Sequence, residues 1–271
     1  MSQRSHRQKR AALRDQSPAR ISLTIYRELV RLVRDSPKPP TRPIGEWKRE
    51  DQRHVIAPAI AWGWLMRVMR SGQAAIELEG RGFGPEAAPL VRSALEHAIR
   101  LLWAAEYGDE FVEITLLSQK KGLANMEAAQ TDGWRFDPDF AEALQKRAAE
   151  ASDDFTPLST LTALKHIVDS NPDRLGGLYM AWLFDTHESH PSDFTAQHYY
   201  VADDSGHRYE LFEKPRTASR AAFRSCFALL GAIDGYAKIS GLSAYFEPGL
   251  SRSAQMLLVL SESPAADDSS R

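Results

Sequence analysis

Apolar residues recur at three- and four-residue spacing along most of the chain, and that period predicts helices. Ile21, Ile25, Leu29, Leu32 and Val33 share one helical face behind a Ser17-Pro18 start signal, which predicts a helix over 18–35. Pro37, Pro39, Pro40 and Pro43 then form an extended linker. A longer helix over 54–79 carries Trp62, Trp64, Leu65, Val68, Met69, Ile76 and Leu78. Pro58 is expected in its first turn, because a proline further in would kink it. Gly80 to Pro85 breaks the pattern. It lacks the lysine and the preceding strand of a phosphate loop, so it reads as a turn between helices. Further helices are expected over 85–107, 109–130, 137–150, 157–168 and 173–189. Gly108, an acidic connector at 151–155 and Asn171-Pro172 separate them, and Pro191 ends the last.

The pattern changes at Gln197. His198-Tyr199-Tyr200-Val201 and Arg208-Tyr209-Glu210-Leu211-Phe212 flank an Asp/Ser/Gly turn, which predicts a β-hairpin within 197–213. A lone hairpin needs a surface beneath it, so this one is expected to lie on the helical body. A last long helix over 217–238 is closed by Gly241, and Met256 to Leu260 reads as a short strand or docked segment. The fold class is therefore mainly α, a helical bundle with one β-hairpin appendage. It lacks the alternation of strand and helix that a doubly wound sheet requires. The expected organisation is a disordered basic arm (1–16), an N-terminal helix with its Pro-rich linker (17–53), the bundle with its hairpin (54–260) and a disordered tail (261–271).

Composition narrows the function classes. The 271 residues are 43% hydrophobic and 26% charged, as in an ordinary soluble globular protein. No run approaches about 18 uncharged apolar residues, so no membrane partner is expected. The basic N-terminus has no apolar core of a secretory signal, and a cytoplasmic location follows. A single cysteine, Cys226, excludes an internal disulfide framework and multi-cysteine metal centres. Between Phe223 and Phe227 it reads as a buried, inert thiol. The net charge of −2 conceals an asymmetry: residues 1–53 hold 14 Lys/Arg against 6 Asp/Glu. Such a basic arm suits nucleic acid or another anionic partner, or simply keeps the chain solvated. No nucleophile elbow, dinucleotide fingerprint or His-Glu-x-x-His occurs, and no cofactor is expected.

The segment Arg92-Ser93-Ala94-Leu95-Glu96-His97 carries the candidate chemistry. On a helix Arg92 and Glu96 lie about 40° apart and share a face with Ser93, whereas His97 lies about 140° from Arg92. These polar residues interrupt a core-like helix, so they must pair or line a cleft. A structural salt bridge, Arg92–Glu96 or Glu96–Arg100, is the plainest reading. His187, His190, His198 and His207 cluster with Asp185, Glu188 and Asp193, but Pro191 places His190 at a helix end, where the dipole favours it without metal. No metal is therefore assigned. A cleft formed by His190, Ser192 and the Arg92–Glu96 face is expected instead.

Arg92-Ser93-x-x-Glu96, followed by Ser189-His190-Pro191-Ser192, resembles a set of bacterial helical proteins catalogued as domains of unknown function. That resemblance spans about 55–240 and implies a shared helical core with Arg92, Glu96 and His190 at its site. Arg92-x4-His97 also resembles the motif of the HEPN superfamily (higher eukaryotes and prokaryotes nucleotide-binding), many of whose members are metal-independent ribonucleases. The resemblance implies that Arg92 offsets phosphate charge, that His97 acts as acid or base, and that two protomers meet at the site. RNA and a homodimer are the partners it implies; in a ribonuclease reading of these residues Glu96 would orient Arg92 or His97. Three functions follow: a ligand-binding or regulatory module using Ser93, His190 and Ser192 with Arg92 and Glu96; a ribonuclease; or a structural partner in a larger complex.

Overall fold

The computed structural model describes residues 18–39, 49–108, 110–128, 137–140, 142, 163–203, 205, 208–216 and 220–261. The predicted N-terminal arm and the acidic connector lie outside these residues, as do the C-terminal tail beyond residue 261, residues 40–48 of the linker, most of the 137–150 helix and the first half of the 157–168 helix.

The described residues form a helical bundle with one two-stranded antiparallel hairpin. In chain order the helices are α1 (Pro18–Arg34), α2 (Arg49–Gly80), α3 (Ala88–Tyr107), α4 (Phe111–Ala128), α5 (Leu164–Ser170), α6 (Pro172–Ser189), α7 (Asp193–Ala196), α8 (Ala221–Ile239) and α9 (Ser243–Ser261). The hairpin pairs β1 (Tyr200–Ala202) with β2 (Tyr209–Leu211), Val201 opposite Glu210. Gly82, at φ 89°, turns the chain between α2 and a short 3-10 segment that leads into α3. The glycine-rich stretch is thus an inter-helix turn.

α3 and α8 form the centre. α2 packs on both, α6 on α3, and α1 and α9 on α8. The approach of α8 to α3 is close because α8 presents small residues: Ala228, Gly231, Ala232, Gly235 and Ala237 are all buried. A Cβ on Gly235 would stand 2.6 Å from the Leu101 carbonyl carbon. Leu95, Ile99, Leu101, Leu229, Ile233 and Tyr236 fill the seam. Of the tryptophans described, Trp103 is buried, and Trp62, Trp64 and Trp182 pack half-buried against the core. Cys226 is fully buried; its Sγ donates to the Ser22 carbonyl at 2.9 Å, and burial pushes the thiol up to about 12. It has the inert character its flanking phenylalanines imply.

Three expectations need correction. α2 begins at Arg49, so Pro58 sits in its interior instead of its first turn. Met256 to Leu260 is no strand: it is the last part of α9, and it packs on the core through Met256, Leu257 and Leu260. Gly241, at φ 69°, closes α8 as the sequence predicts. Pro248 lies near enough to the start of α9 that the helix forgoes one hydrogen bond and continues. Gly249 serves a close approach, since a Cβ there would meet Leu32 Cδ2 of α1 at 2.5 Å. Third, the hairpin does not lie flat on the helices. β2 is exposed at every residue and Leu211 is 78% exposed; the attachment is through the hairpin's base.

Candidate functional site

The N-terminal half of α3, the C-terminal half of α6, the start of α8 and the base of the hairpin are linked by polar contacts at one end of the bundle. Arg92 projects from α3 onto α6. Its Nε donates to Thr186 Oγ1 at 3.0 Å, and its guanidinium carbon lies 5.1 Å from the centroid of the Trp182 ring. Thr186 is held in turn by donating to the Trp182 carbonyl at 2.7 Å, and Tyr179 stacks on Trp182. The cation is half-buried, and no carboxylate among the described residues pairs with it. Glu96 pairs with Arg100 on its own helix at 3.1 Å. Of the two salt bridges the sequence allowed, the structure makes the second.

His97 points away from this contact. Its Nδ1 donates to the Ser93 carbonyl at 2.7 Å, which leaves Nε2 with the lone pair in the neutral ring. Burial lowers its pKa first; Arg67 of α2 and Arg100 also lower it, against Ser93 and Glu96. The 140° separation of Arg92 and His97 around the helix thus sends Arg92 to α6 and leaves His97 under the influence of α2. Ser93 enters this geometry through its backbone carbonyl.

His190 caps the C-terminus of α6 in an extended conformation and is exposed, and its carbonyl accepts from Thr195 at 3.2 Å. It lies one helical turn beyond Thr186. Ser192 caps α7, accepting from the Thr195 N–H at 3.3 Å while Thr195 Oγ1 accepts from the Ser192 N–H. No hydrogen bond joins His190 or Ser192 to Arg92 or Glu96 among the described residues. Both shape the turn that leads from α6 to the hairpin.

Sequence reasoning underweighted the ionisable groups beside them. Asp185 is fully buried on α6, and Arg224 Nη2 of α8 lies 3.2 Å from its Oδ1. The two are close enough for an ion pair, but neither carboxylate oxygen accepts an aligned hydrogen bond. Burial pushes Asp185 up to about 7; Arg224 pulls it down and Glu188 pushes it up. Glu188 meets His198 Nε2 at 2.9 Å, and this pair ties the hairpin's base to α6. Tyr199 donates to Glu86, ahead of α3. Glu79 of α2 caps α8 by accepting from the N–H groups of Ala221 and Ala222, both at 3.1 Å. The signal was present: Asp185 follows the run Met180-Ala-Trp-Leu-Phe184, and Arg224 sits between Phe223 and Cys226. A charge inside such a run marks a buried partner. His187 is exposed, and His207 lies outside the described residues. Among those described, no three His, Cys, Asp or Glu side chains gather to hold a metal, and no helix is long and apolar enough to cross a membrane.

The class defined by this geometry is a mainly helical bundle bearing a small hairpin and a polar, partly buried cluster at one end. Residues 59–165 match a family of unknown function, DUF5677. The match covers most of α2, all of α3 and α4, and therefore Arg92, Ser93, Glu96 and His97, and it stops before α6 and the hairpin. No curated protein and no solved structure matches the chain.

Proposed function

We propose that the chain is a binding module for a small anionic ligand, with Arg92 as the recognising cation. One observation carries this reading: a half-buried guanidinium fixed by Thr186 and Trp182, with no carboxylate among the described residues to neutralise it. A cation taken partly out of water without a counter-charge is costly, and an incoming carboxylate or phosphate offsets that cost through two parallel N–H···O bonds. Nε is already committed to Thr186, so the Nη groups are the donors left for the ligand. The unpartnered, buried Trp182 Nε1 adds an unused donor to the same cluster. His190 and Ser192, on the turn one step beyond Thr186, belong to the rim.

The test is ligand-dependent stability. A ligand that binds only the folded state stabilises it by mass action, by about 2.7 kcal/mol at a hundredfold excess over Kd, and so raises Tm. Inorganic phosphate and succinate are expected to raise Tm above a chloride control of equal ionic strength. Arg92→Lys, which keeps the charge but loses the planar fork, is expected to abolish the difference. Equal shifts in wild type and Arg92→Lys would reject the reading.

The ribonuclease alternative places Arg92 and His97 at one phosphate. Within one chain the two leave α3 in different directions, so that reading rests on a second protomer. One observation favours keeping it: Nδ1 of His97 donates to the Ser93 carbonyl and burial lowers the ring's pKa, so the neutral form carries its lone pair on Nε2, as a general base needs. RNA cleavage by the purified chain that survives a chelator and disappears in His97→Ala would put it ahead of the binding module.

A further inference from the structure

We propose that α1, with α2 behind it, is a binding surface for the phosphodiester backbone of a double-stranded nucleic acid, separate from the Arg92 site. Arg27, Arg31 and Arg34 line a cleft of about 680 Å³ between these two helices. They stand four and three residues apart, which puts them within about 60° of one another around α1, with steps of about 6 and 4.5 Å along its axis. All three are exposed, and none forms an ion pair among the described residues. Like charges at this spacing repel one another, so the row is relieved by an anion from outside. Asp35 and Glu77 share the cleft but do not neutralise it; Glu77 instead accepts from the Gln73 amide at 3.1 Å.

The arrangement selects among anions. Three cations spread along an axis match a polymer of phosphates better than a single converging dianion. Residues 1–17, which lead into α1, add five Lys/Arg against one Asp, so the positive track continues in sequence beyond the cleft. An anionic membrane would need the apolar face of α1, but Ile25, Leu29 and Val33 are wholly buried in the core. Single strands are bound by stacking their bases on aromatic rings. The one aromatic ring among the described residues that line the cleft, Tyr26, is 3% exposed and donates its hydroxyl to the Met69 carbonyl. Backbone contact to a duplex is what remains.

The experiment uses the full chain and fluorescein-labelled 20-base-pair DNA and RNA duplexes, read by anisotropy from 50 to 200 mM salt. Binding is expected at low salt, with affinity falling as salt rises. Each phosphate contact contributes about 0.9 to the slope of log K against log salt. The triple variant Arg27→Gln, Arg31→Gln, Arg34→Gln should therefore lose at least tenfold in affinity and about 3 in slope. Removing three exposed cations from other elements, Lys121→Gln, Lys214→Gln and Arg252→Gln, is expected to change affinity less than twofold. If the first triple variant does not fold, Arg27→Gln and Arg31→Gln singly should each remove about one unit of slope. Unchanged slope in the Arg27/Arg31/Arg34 variants overturns the proposal. So does no duplex binding at 50 mM salt, capture by phosphatidylserine vesicles without duplex binding, or displacement of the duplex by inorganic phosphate beyond its ionic-strength effect.

Discussion

The α3–α8 seam and the polar end of the bundle share α8, yet they are held together by opposite means. At the seam, Gly231, Ala232 and Gly235 bring two backbones together and Leu101, Leu229 and Ile233 exclude water. Nothing there is titratable except Tyr236. A turn or two along α8, Arg224 reaches a buried carboxylate, Glu79 caps the helix from α2, and Glu188 meets His198. The seam is held by shape and the polar end by charge. Shape is indifferent to pH and salt, whereas the balance of buried charges is not.

The largest expected effect comes from breaking the charge pair. Arg224→Ala leaves Asp185 buried without its counter-ion and should cost about 3–5 kcal/mol at pH 8. The loss should shrink in acid, because the lone carboxyl can take up a proton. Urea melts at pH 8 and pH 5 check both statements, and equal losses at the two values would reject a buried ionised Asp185. At the seam, Gly235→Ala drives a Cβ into backbone atoms of Leu101, which cannot rotate away. Overpacking of this kind costs about 1–3 kcal/mol, and the upper end is expected here. That loss should be the same at pH 5 and pH 8, which is the sharpest contrast between the two regions.

The pH dependence of the wild type is the next test in size. Asp185 has a folded pKa raised to about 7 against an ordinary value of 3.8. The folded state therefore binds more protons than the unfolded state between these values. Its contribution to stability is complete below about pH 4 and is lost as pH rises towards 7. Asp185→Asn should flatten that segment of the stability–pH curve while leaving the rest in place. An unchanged slope in this variant would assign the proton uptake to another group.

The two regions were also unequally legible in the sequence. The seam is written in one-dimensional periodicity: Leu95, Ile99 and Leu102 on α3 and Leu229 and Ile233 on α8 announce both helices and their buried faces. The polar end is written in pairs separated along the chain, Asp185 with Arg224 and Glu188 with His198, and no local pattern says which charge meets which. Arg92 and Glu96 were visible as a candidate pair because they are four residues apart. Their spacing could not show that Thr186 and Trp182 on α6 would claim Arg92 and leave Glu96 to Arg100. The full length of α9 is hidden for a related reason: Pro248 and Gly249 disfavour a helix locally, and only the position of Leu32 on α1 shows that the missing side chain of Gly249 makes room for a neighbour.

The smallest expected effects concern that reassigned arginine. Arg92 is tied to α6 by one hydroxyl and one ring face, interactions worth about 1–2 kcal/mol together. Arg92→Ala should therefore cost about 1–2 kcal/mol, less than Arg224→Ala, although both remove a half-buried or buried guanidinium. The distinction is what each leaves behind: Arg224 abandons a carboxylate, and Arg92 abandons a hydroxyl that keeps its bond to the Trp182 carbonyl. Because Glu96 pairs with Arg100, Arg92→Ala and Glu96→Ala should be additive within about 0.5 kcal/mol. Glu96→Ala and Arg100→Ala should instead show a coupling of about 0.3–0.5 kcal/mol, as expected for a partly exposed pair one turn apart. A coupling above about 1 kcal/mol between Arg92 and Glu96 would restore the salt bridge that the structure replaces, and with it would remove the uncompensated cation on which the anion-binding reading depends.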